Sequence, residues 1–147
     1  MSNERFKLIP EAHLLLFMEN KTLLLLRKNT GYEDGKYSVV AGHFEGNETA
    51  REAMVREAFE EAGIKIYPKD LVLAHITHRK HLDERVSFFF TTATWEGAIT
   101  NMEPKKCADL RWFPIDSMPD NMVPYVRDAI EQSLKGNIYS EFGWKEK

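Results

Sequence analysis

The chain has 147 residues, of which 43% are hydrophobic and 29% charged, with a formal charge of −3 at neutral pH. A chain of that length can bury a core without cross-links, and the acidic balance argues against a protein that binds nucleic acid through a generally basic surface, although a local basic pocket remains compatible with it. The single cysteine, Cys107, excludes an internal disulfide and points to a reducing cytosol. It reads as a small, semi-buried residue rather than a nucleophile.

The first apolar residues are interrupted by Pro10, Glu11 and His13, unlike a signal peptide, and no apolar stretch approaches a membrane span. Internal repeats, low-complexity tracts and linkers are all missing, so residues 1–147 read as one domain. "HLLLFMENKTLLLLRK" predicts two apolar strands joined by a tight turn at Glu19 to Thr22. "NTGYEDG" is a loop rich in turn residues, and "KYSVVAG" is a short strand after it. "DLVLAHITHRK" and "RVSFFFTTATW" are longer strands dense in β-branched and aromatic residues, and "LRWFPI" is another short one. "PDNMVPYVRDAIEQSLKG" predicts a closing helix with Asp120 or Asn121 near its start and Gly136 past its end. The tail carries Tyr139, Phe142 and Trp144 and is expected to pack back on the domain. One helix among the strands and one after them imply an α/β fold with a mixed sheet covered on both faces.

"GHFEGNETAREAMVREAFEEAGI", from Gly42 to Ile64, is the most informative stretch. Thr49 and Glu52 have capping-box spacing, and Gly63 supplies a left-handed stop. At about 100° per residue, Met54, Val55, Ala58, Phe59 and Ala62 form an apolar arc, while Glu57, Glu60 and Glu61 form a separate one beside Ala50 and Ala53. Arg56 sits at its edge within reach of Glu52 and Glu60. Glutamates three and four apart repel. Either the helix shows a solvated acidic face, or the carboxylates form a hard-cation site of the kind Mg²⁺ favours.

The same stretch resembles the box of the Nudix hydrolases. Gly42, Glu48, Arg56, Glu57, Ala58, Glu60, Glu61, Gly63 and Ile64 fill every specified position over 23 residues. One departure is Val40-Ala41, where the family often has Pro-Gly before the box glycine. The resemblance implies a Nudix-type α/β/α sandwich with a mixed, mostly antiparallel sheet between helices. It implies Mg²⁺ or Mn²⁺ held by Glu57, Glu61, Glu60 and the Ala41 carbonyl, with Glu48 and Arg56 orienting the glutamates. By the same resemblance, Glu103 in "NMEPKKCADLRWF" is the candidate for an extra acid from a distant loop, its alternative reading being a turn residue before Pro104.

Arg27 and Arg85, at strand ends, are candidate phosphate clamps or plain surface arginines. His75 and His81 share one strand face and His78 the other, which opposes a zinc reading of "HITHRKH". Phe88, Phe89, Phe90 and Trp112 read as core, whereas Tyr32, Tyr37 or Phe44 are candidates to stack a nucleobase. Asn121 resembles the asparagine by which MutT-like members contact the base, and its alternative role is helix capping.

The resemblance implies a hydrolase that cleaves a phosphoanhydride in a nucleoside diphosphate linked to another group. The alternative is a non-catalytic, nucleotide-binding regulatory member, disfavoured because every box carboxylate is present; an isomerase on the same fold is more distant. Signals of the ADP-ribose, diadenosine polyphosphate and coenzyme A groups are not recognisable, which leaves MutT-like nucleoside triphosphate pyrophosphohydrolases by elimination. The expected partner is a small nucleotide, with no nucleic-acid polymer and no membrane, and a homodimer is compatible with this reading.

Overall fold

Alternation along the apolar strands builds two cores, one under each helix. The computed structural model describes residues 4–145. On β1 (Ile9–Leu15), Ala12 and Leu14 enter one apolar cluster and Leu15 the other. After the short β2 (Phe17–Met18), β3 (Lys21–Arg27) repeats the pattern, with Leu23 and Leu25 on one side and Leu24 on the other. Side chains two apart share a face, so a run of leucines serves both sides. α1 (Ala50–Ala62) contributes Ala53, Met54, Ala58 and Ala62 to the first cluster, and α2 (Pro124–Leu134) contributes Tyr125, Val126, Ala129 and Ile130 to the second. This is the expected α/β/α arrangement, with a mixed sheet flanked by two helices.

The strands form a five-stranded sheet in the order β5-β1-β7-β6-β9 and a smaller sheet in which β3 pairs with β2, β4 and β8. Here β4 is Tyr37–Ser38, β5 is Val40–His43, β6 is Val72–His81, β7 is Asp83–Thr91, β8 is Cys107–Pro114 and β9 is Tyr139–Phe142. Among the strand pairs of the described residues, only β1–β7 and β6–β9 run parallel. The expected strand "KYSVVAG" is thus divided: Tyr37 and Ser38 pair with β3, Val40 to His43 pair with β1, and buried Val39 carries the chain between sheets. The hairpin between β2 and β3 has only Glu19 and Asn20 in its loop, both with positive φ, a conformation that matches the twist of the flanking strands.

One expectation holds and two differ, each for a physical reason. The aromatic tail packs back as β9, a parallel edge strand on β6, with Trp144 donating its indole N–H to the His78 carbonyl at 3.0 Å. α2 has no side-chain cap from Asp120 or Asn121: Val123 is the N-cap, and Pro124, whose missing N–H needs no partner there, opens the helix. The buried stripe of α1 is rotated from the expected arc, enclosing Ala53 and Glu57 and leaving Phe59 60% exposed. Glu57 therefore lies along the seam with the core rather than on a separate solvated face.

That rotation predicts unequal costs for two phenylalanines. Phe89→Ala, in the second core, should destabilise by about 3–5 kcal/mol in equilibrium denaturation, and Phe59→Ala by about 0.5 kcal/mol or less.

Candidate active site

The carboxylates converge because α1 packs against β5 at a position without a side chain. A Cβ on Gly42 would collide with the carboxyl group of Glu57. The glycine is required for this close approach, not for an unusual φ. One helical turn on, the Glu61 carboxylate accepts the Ala41 N–H at 3.3 Å. Burial first, then the hydrogen bond and charge of Glu57, push the Glu61 carboxyl well above the usual carboxylate range; the Ala41 N–H opposes this and the Glu103 charge adds to it.

Arg56 is the hub of the surrounding charges. It meets Glu45 at 2.8 Å, Glu48 at 2.9 Å and Glu57 at 2.6 Å, and its Nη2 also reaches the His43 carbonyl at 3.1 Å. Glu48 also accepts the Glu45 N–H at 2.7 Å, fixing the loop before the helix. The expected contact of Arg56 with Glu52 is replaced by a capping box, in which Glu52 accepts the Thr49 N–H at 2.8 Å. Glu60 is turned outward beside Arg56, at 3.4 Å.

These groups form one wall of a cleft of about 810 Å³, within the size range of small-molecule sites. Glu57, Glu60, Glu61, Ala41 and Glu103 all border it, and the Glu103 carbonyl accepts the N–H groups of Lys106 and Cys107, which places that residue in a turn. Among the described residues no three acidic or histidine side chains are clustered tightly enough to be a complete ligand set as they stand. The donor set nevertheless fits Mg²⁺ or Mn²⁺: it is all oxygen, and carboxyl groups pressed together are relieved by a divalent charge.

Arg27 and Arg85 both border the cleft but differ in what they have free. Arg27 donates Nε to the Tyr32 carbonyl at 2.8 Å and Nη2 to Thr30 at 3.0 Å, with no carboxylate partner among the described residues. Arg85 spends its fork on Asp83, at 2.7 and 3.4 Å, and its Nη1 on Glu11 at 3.0 Å. Asn121 is neither a cap nor a cleft-lining residue; its amide donates to the Gly35 carbonyl at 3.0 Å and steadies the loop that carries Tyr32. Of the stacking candidates, Tyr32 borders the cleft, edge-on to His81 at 5.2 Å between centroids. Tyr37 is buried against Phe113, and Phe44 stacks on Phe88. The three histidines of β6 go to different places: His75 binds Asn137 and Ser140, His78 faces Trp144, and His81 lies at the cleft. Cys107 is buried, its thiol donating to the Asp109 carbonyl at 3.0 Å, and burial raises its pKa.

Sequence reasoning missed the floor. Glu11 is 7% exposed and Arg79 4%, and they bond at 2.7 and 3.2 Å, with Ser87 donating to the same carboxylate oxygen at 3.0 Å. His13, 1% exposed, lies 2.8 Å from the Tyr125 hydroxyl, and the Arg79 guanidinium sits 3.9 Å from the Tyr125 ring centroid. The available signal was a charged and an ionisable residue two apart, on one face of a strand flanked by leucines. Burial alone would raise Glu11, but protonated His13, Arg79 and Ser87 together hold it down to about 2. Burial lowers His13 to about 4, with Glu11 opposing.

The sequence matches the NUDIX domain family over residues 7–132. It is 30% identical over 96 residues to the NAD-capped RNA hydrolase NudC of Stutzerimonas stutzeri (strain A1501), covering 65% of this chain and 33% of that protein. It is 28% identical over 113 residues to the NudC of Shigella dysenteriae serotype 1 (strain Sd197), covering 76% and 42%. The chain thus spans well under half the length of these curated relatives. In three dimensions it is similar to a MutT NUDIX hydrolase from Burkholderia pseudomallei, with a TM-score of 0.79, 22% identity and coverage of 86% and 98% of the two chains. A MutT protein from Methanosarcina mazei Go1 gives 0.75 at 21% identity, covering 87% and 94%. A carboxylate-walled cleft at the helix–strand junction of an α/β/α sandwich defines a class, and the domain match over most of the chain settles which. The chain belongs to the Nudix family.

The floor makes stability pH-dependent. Unfolded His13 takes up a proton near its ordinary 6.5, folded His13 only near 4, so the unfolded state binds more protons between these values. Stability should therefore fall as pH drops from 6.5 to 4, by about 3 kcal/mol at most. Glu11, depressed from 4.5 to about 2, extends the loss below pH 4.5. Denaturant titrations at stepped pH check this, and His13→Phe should flatten the upper limb.

Proposed function

We propose that the protein is a divalent-metal-dependent hydrolase that cleaves a phosphoanhydride bond in a nucleoside diphosphate linked to another group. The observation that carries this reading is the forced meeting of Glu57 and Glu61 beside Gly42, at the wall of a cleft large enough for a nucleotide. Glu57 and Glu61 would be the main ligands of Mg²⁺ or Mn²⁺, with the Ala41 carbonyl and Glu60 completing the protein's share. Bound there, the ion would neutralise diphosphate charge and lower the pKa of a water.

The chain's own residues do the rest. Arg56, tied to Glu48, Glu57 and the His43 carbonyl, holds the ligand carboxylate in place. Arg27, which bonds only the Tyr32 carbonyl and Thr30 and has no carboxylate partner among the described residues, would meet phosphate oxygens in the cleft. Water adds to one phosphorus as the bond from that phosphorus to the bridging oxygen breaks; Glu103 takes the water's proton and the second phosphate leaves with the bridging oxygen. Arg85, engaged by Asp83 and Glu11, supports the floor and offers at most its spare N–H to substrate.

Nucleoside triphosphates, cleaved to the monophosphate and pyrophosphate, are the substrate class we favour. The likeness to NudC proteins supports a second reading, a dinucleotide or a capped RNA end. A regulatory, non-hydrolysing role is disfavoured because all box carboxylates are present and assembled. Cytoplasmic action is part of the proposal; among the described residues no helix is long and apolar enough to cross a membrane.

A panel of triphosphates and dinucleotides with Mg²⁺, assayed for phosphate-containing products, tests the activity. Excess chelator should abolish turnover. Glu61→Gln should reduce kcat by at least about a hundredfold, by analogy with the loss of other charge-stabilising groups. Glu52→Gln should cost only about 1 kcal/mol of stability, since it removes half of a capping box. Equal losses of activity in both variants, tracking Tm, would return the helix to a solvated acidic face.

A further inference from the structure

The hydrolytic groups leave the tip of the β6–β7 hairpin without a task, although it borders the cleft. His81 pairs with Asp83, so the hairpin turns on a single residue, Leu82. Leu82 has a φ of 60° and is 94% exposed. An exposed leucine is ordinary by itself, and so is a left-handed tip residue when it is Gly, Asn or Asp. The combination is not. Among the described residues the other five non-glycine positions with positive φ are Glu19, Asn20, Asn29, Glu33 and Asn47, all polar. Leu82 accepts a crowded backbone conformation and also sets a full apolar side chain in water. Glycine would make the turn with less strain, so the leucine side chain calls for a use outside the fold.

The surroundings indicate that use. Leu82 borders the cleft together with Thr30, Gly31, Tyr32 and His81. Tyr32 is half-buried, its ring 5.2 Å from that of His81 and 5.3 Å from the Arg27 guanidinium. Apart from Ala41 and the buried Tyr125, Tyr32 and Leu82 are the apolar side chains of the cleft lining. β6 is three places from β5 in the sheet, so this apolar rim and the carboxylate wall beside Gly42 lie at different ends of the cleft. The rim is braced. Asp83 accepts Arg85 Nε at 2.7 Å, Arg85 in turn donates to buried Glu11 at 3.0 Å, and Lys80 faces Glu84 at 3.9 Å across the hairpin. A surface held in this way can take a ligand without first having to be ordered.

We propose that Leu82, with Tyr32, is the base-contacting rim of the cleft: the two side chains pack on the flat face of the nucleobase while the diphosphate lies at the carboxylates. It rests on the nucleotide-hydrolase reading. The face of a base is satisfied by apolar or aromatic surface, and such packing acts on every base because each presents a π-face. A phosphate gains nothing from a leucine, and a ribose, ringed with hydroxyls, gains little. The base is therefore the part of a nucleotide that suits this rim.

Adenosine triphosphate and ribose 5-triphosphate differ by the base alone. The wild type should favour the first in kcat/KM by about ten- to a hundredfold, the scale of one stacked base. Leu82→Asn, which keeps a residue suited to the left-handed turn, should cut that ratio by about fivefold or more, the loss falling on the base-bearing member. Leu82→Gly should do the same with Tm unchanged or raised, because the turn is relieved. Tyr32→Phe should keep the ratio and Tyr32→Ala should lower it. Calorimetry of adenosine monophosphate against ribose 5-phosphate without metal repeats the comparison independently of turnover. Base-dependent binding that falls in Leu82→Asn, with no hydrolysis of any nucleotide, would sink the hydrolase reading and leave the rim standing. No base preference in the wild type, a preference unchanged in both Leu82 variants, or equal loss on both members of the pair would overturn the proposal. A lowered Tm in Leu82→Gly would overturn it too, by returning the leucine to the fold. So would self-association in sedimentation that Leu82→Asn abolishes while the base preference stays intact, since a second copy of the chain would then cover the leucine.

Discussion

Two carboxylates repel each other, and the fold presses Glu57 and Glu61 together nonetheless. The pressure comes from the packing of α1 on β5, where Gly42 leaves a gap the width of a side chain and the Glu57 carboxyl fills it. Ala53, Met54, Ala58 and Ala62, buried along the same helix, hold that contact from behind. Moving the carboxylates apart would require lifting the helix from its core. The resulting site resists relaxation, which is what a preorganised cation site needs.

The charge so concentrated is managed by direct pairing instead of by solvent. Arg56 touches Glu45, Glu48, Glu57 and Glu60, so its single positive charge is shared among carboxylates that come from the loop and the helix. Its bond to the His43 carbonyl ties this group to the strand that also bears Gly42 and Ala41. On the other side of that strand, Glu11 and Arg79 form a second, internally neutral assembly with Arg85 and Asp83.

The periphery serves the same geometry. β6 and β7 carry Arg79, Ser87 and Arg85, and His81 at the end of β6 meets Tyr32 at the cleft. The tail strand β9 and Trp144 brace β6 along its outer edge, while His75 locks onto Asn137 and Ser140. The loop between β3 and β4 is held from two directions, by Asp34 on Thr30 and by Asn121 on Gly35. The loop that borders the cleft at Thr30 to Tyr32 is thus anchored by side chains, Asp34 and Asn121, that do not line it.

By itself the sequence determined the elements whose information is local. The capping box of Thr49 and Glu52, the stop at Gly63, the alternating leucines and the spacing of Glu48, Arg56, Glu57, Glu60 and Glu61 are all readable within a few turns or strands, because helix and strand periods are set by backbone sterics. The family followed from that spacing. Tertiary structure alone decided how the helix is rolled on its core, burying Ala53 and Glu57 while exposing Phe59, since roll depends on what the sheet presents opposite. It also decided that Asn121 braces a loop, that Arg85 is committed to Asp83 and Glu11, and that "KYSVVAG" is split between two sheets. The buried floor was the least legible part. Glu11 and Arg79 are 68 positions apart, and His13 and Tyr125 are 112 apart. No short-range period relates such residues; only the pairing of β1 with β7 and of β7 with β6, together with the docking of α2, brings their side chains within bonding distance.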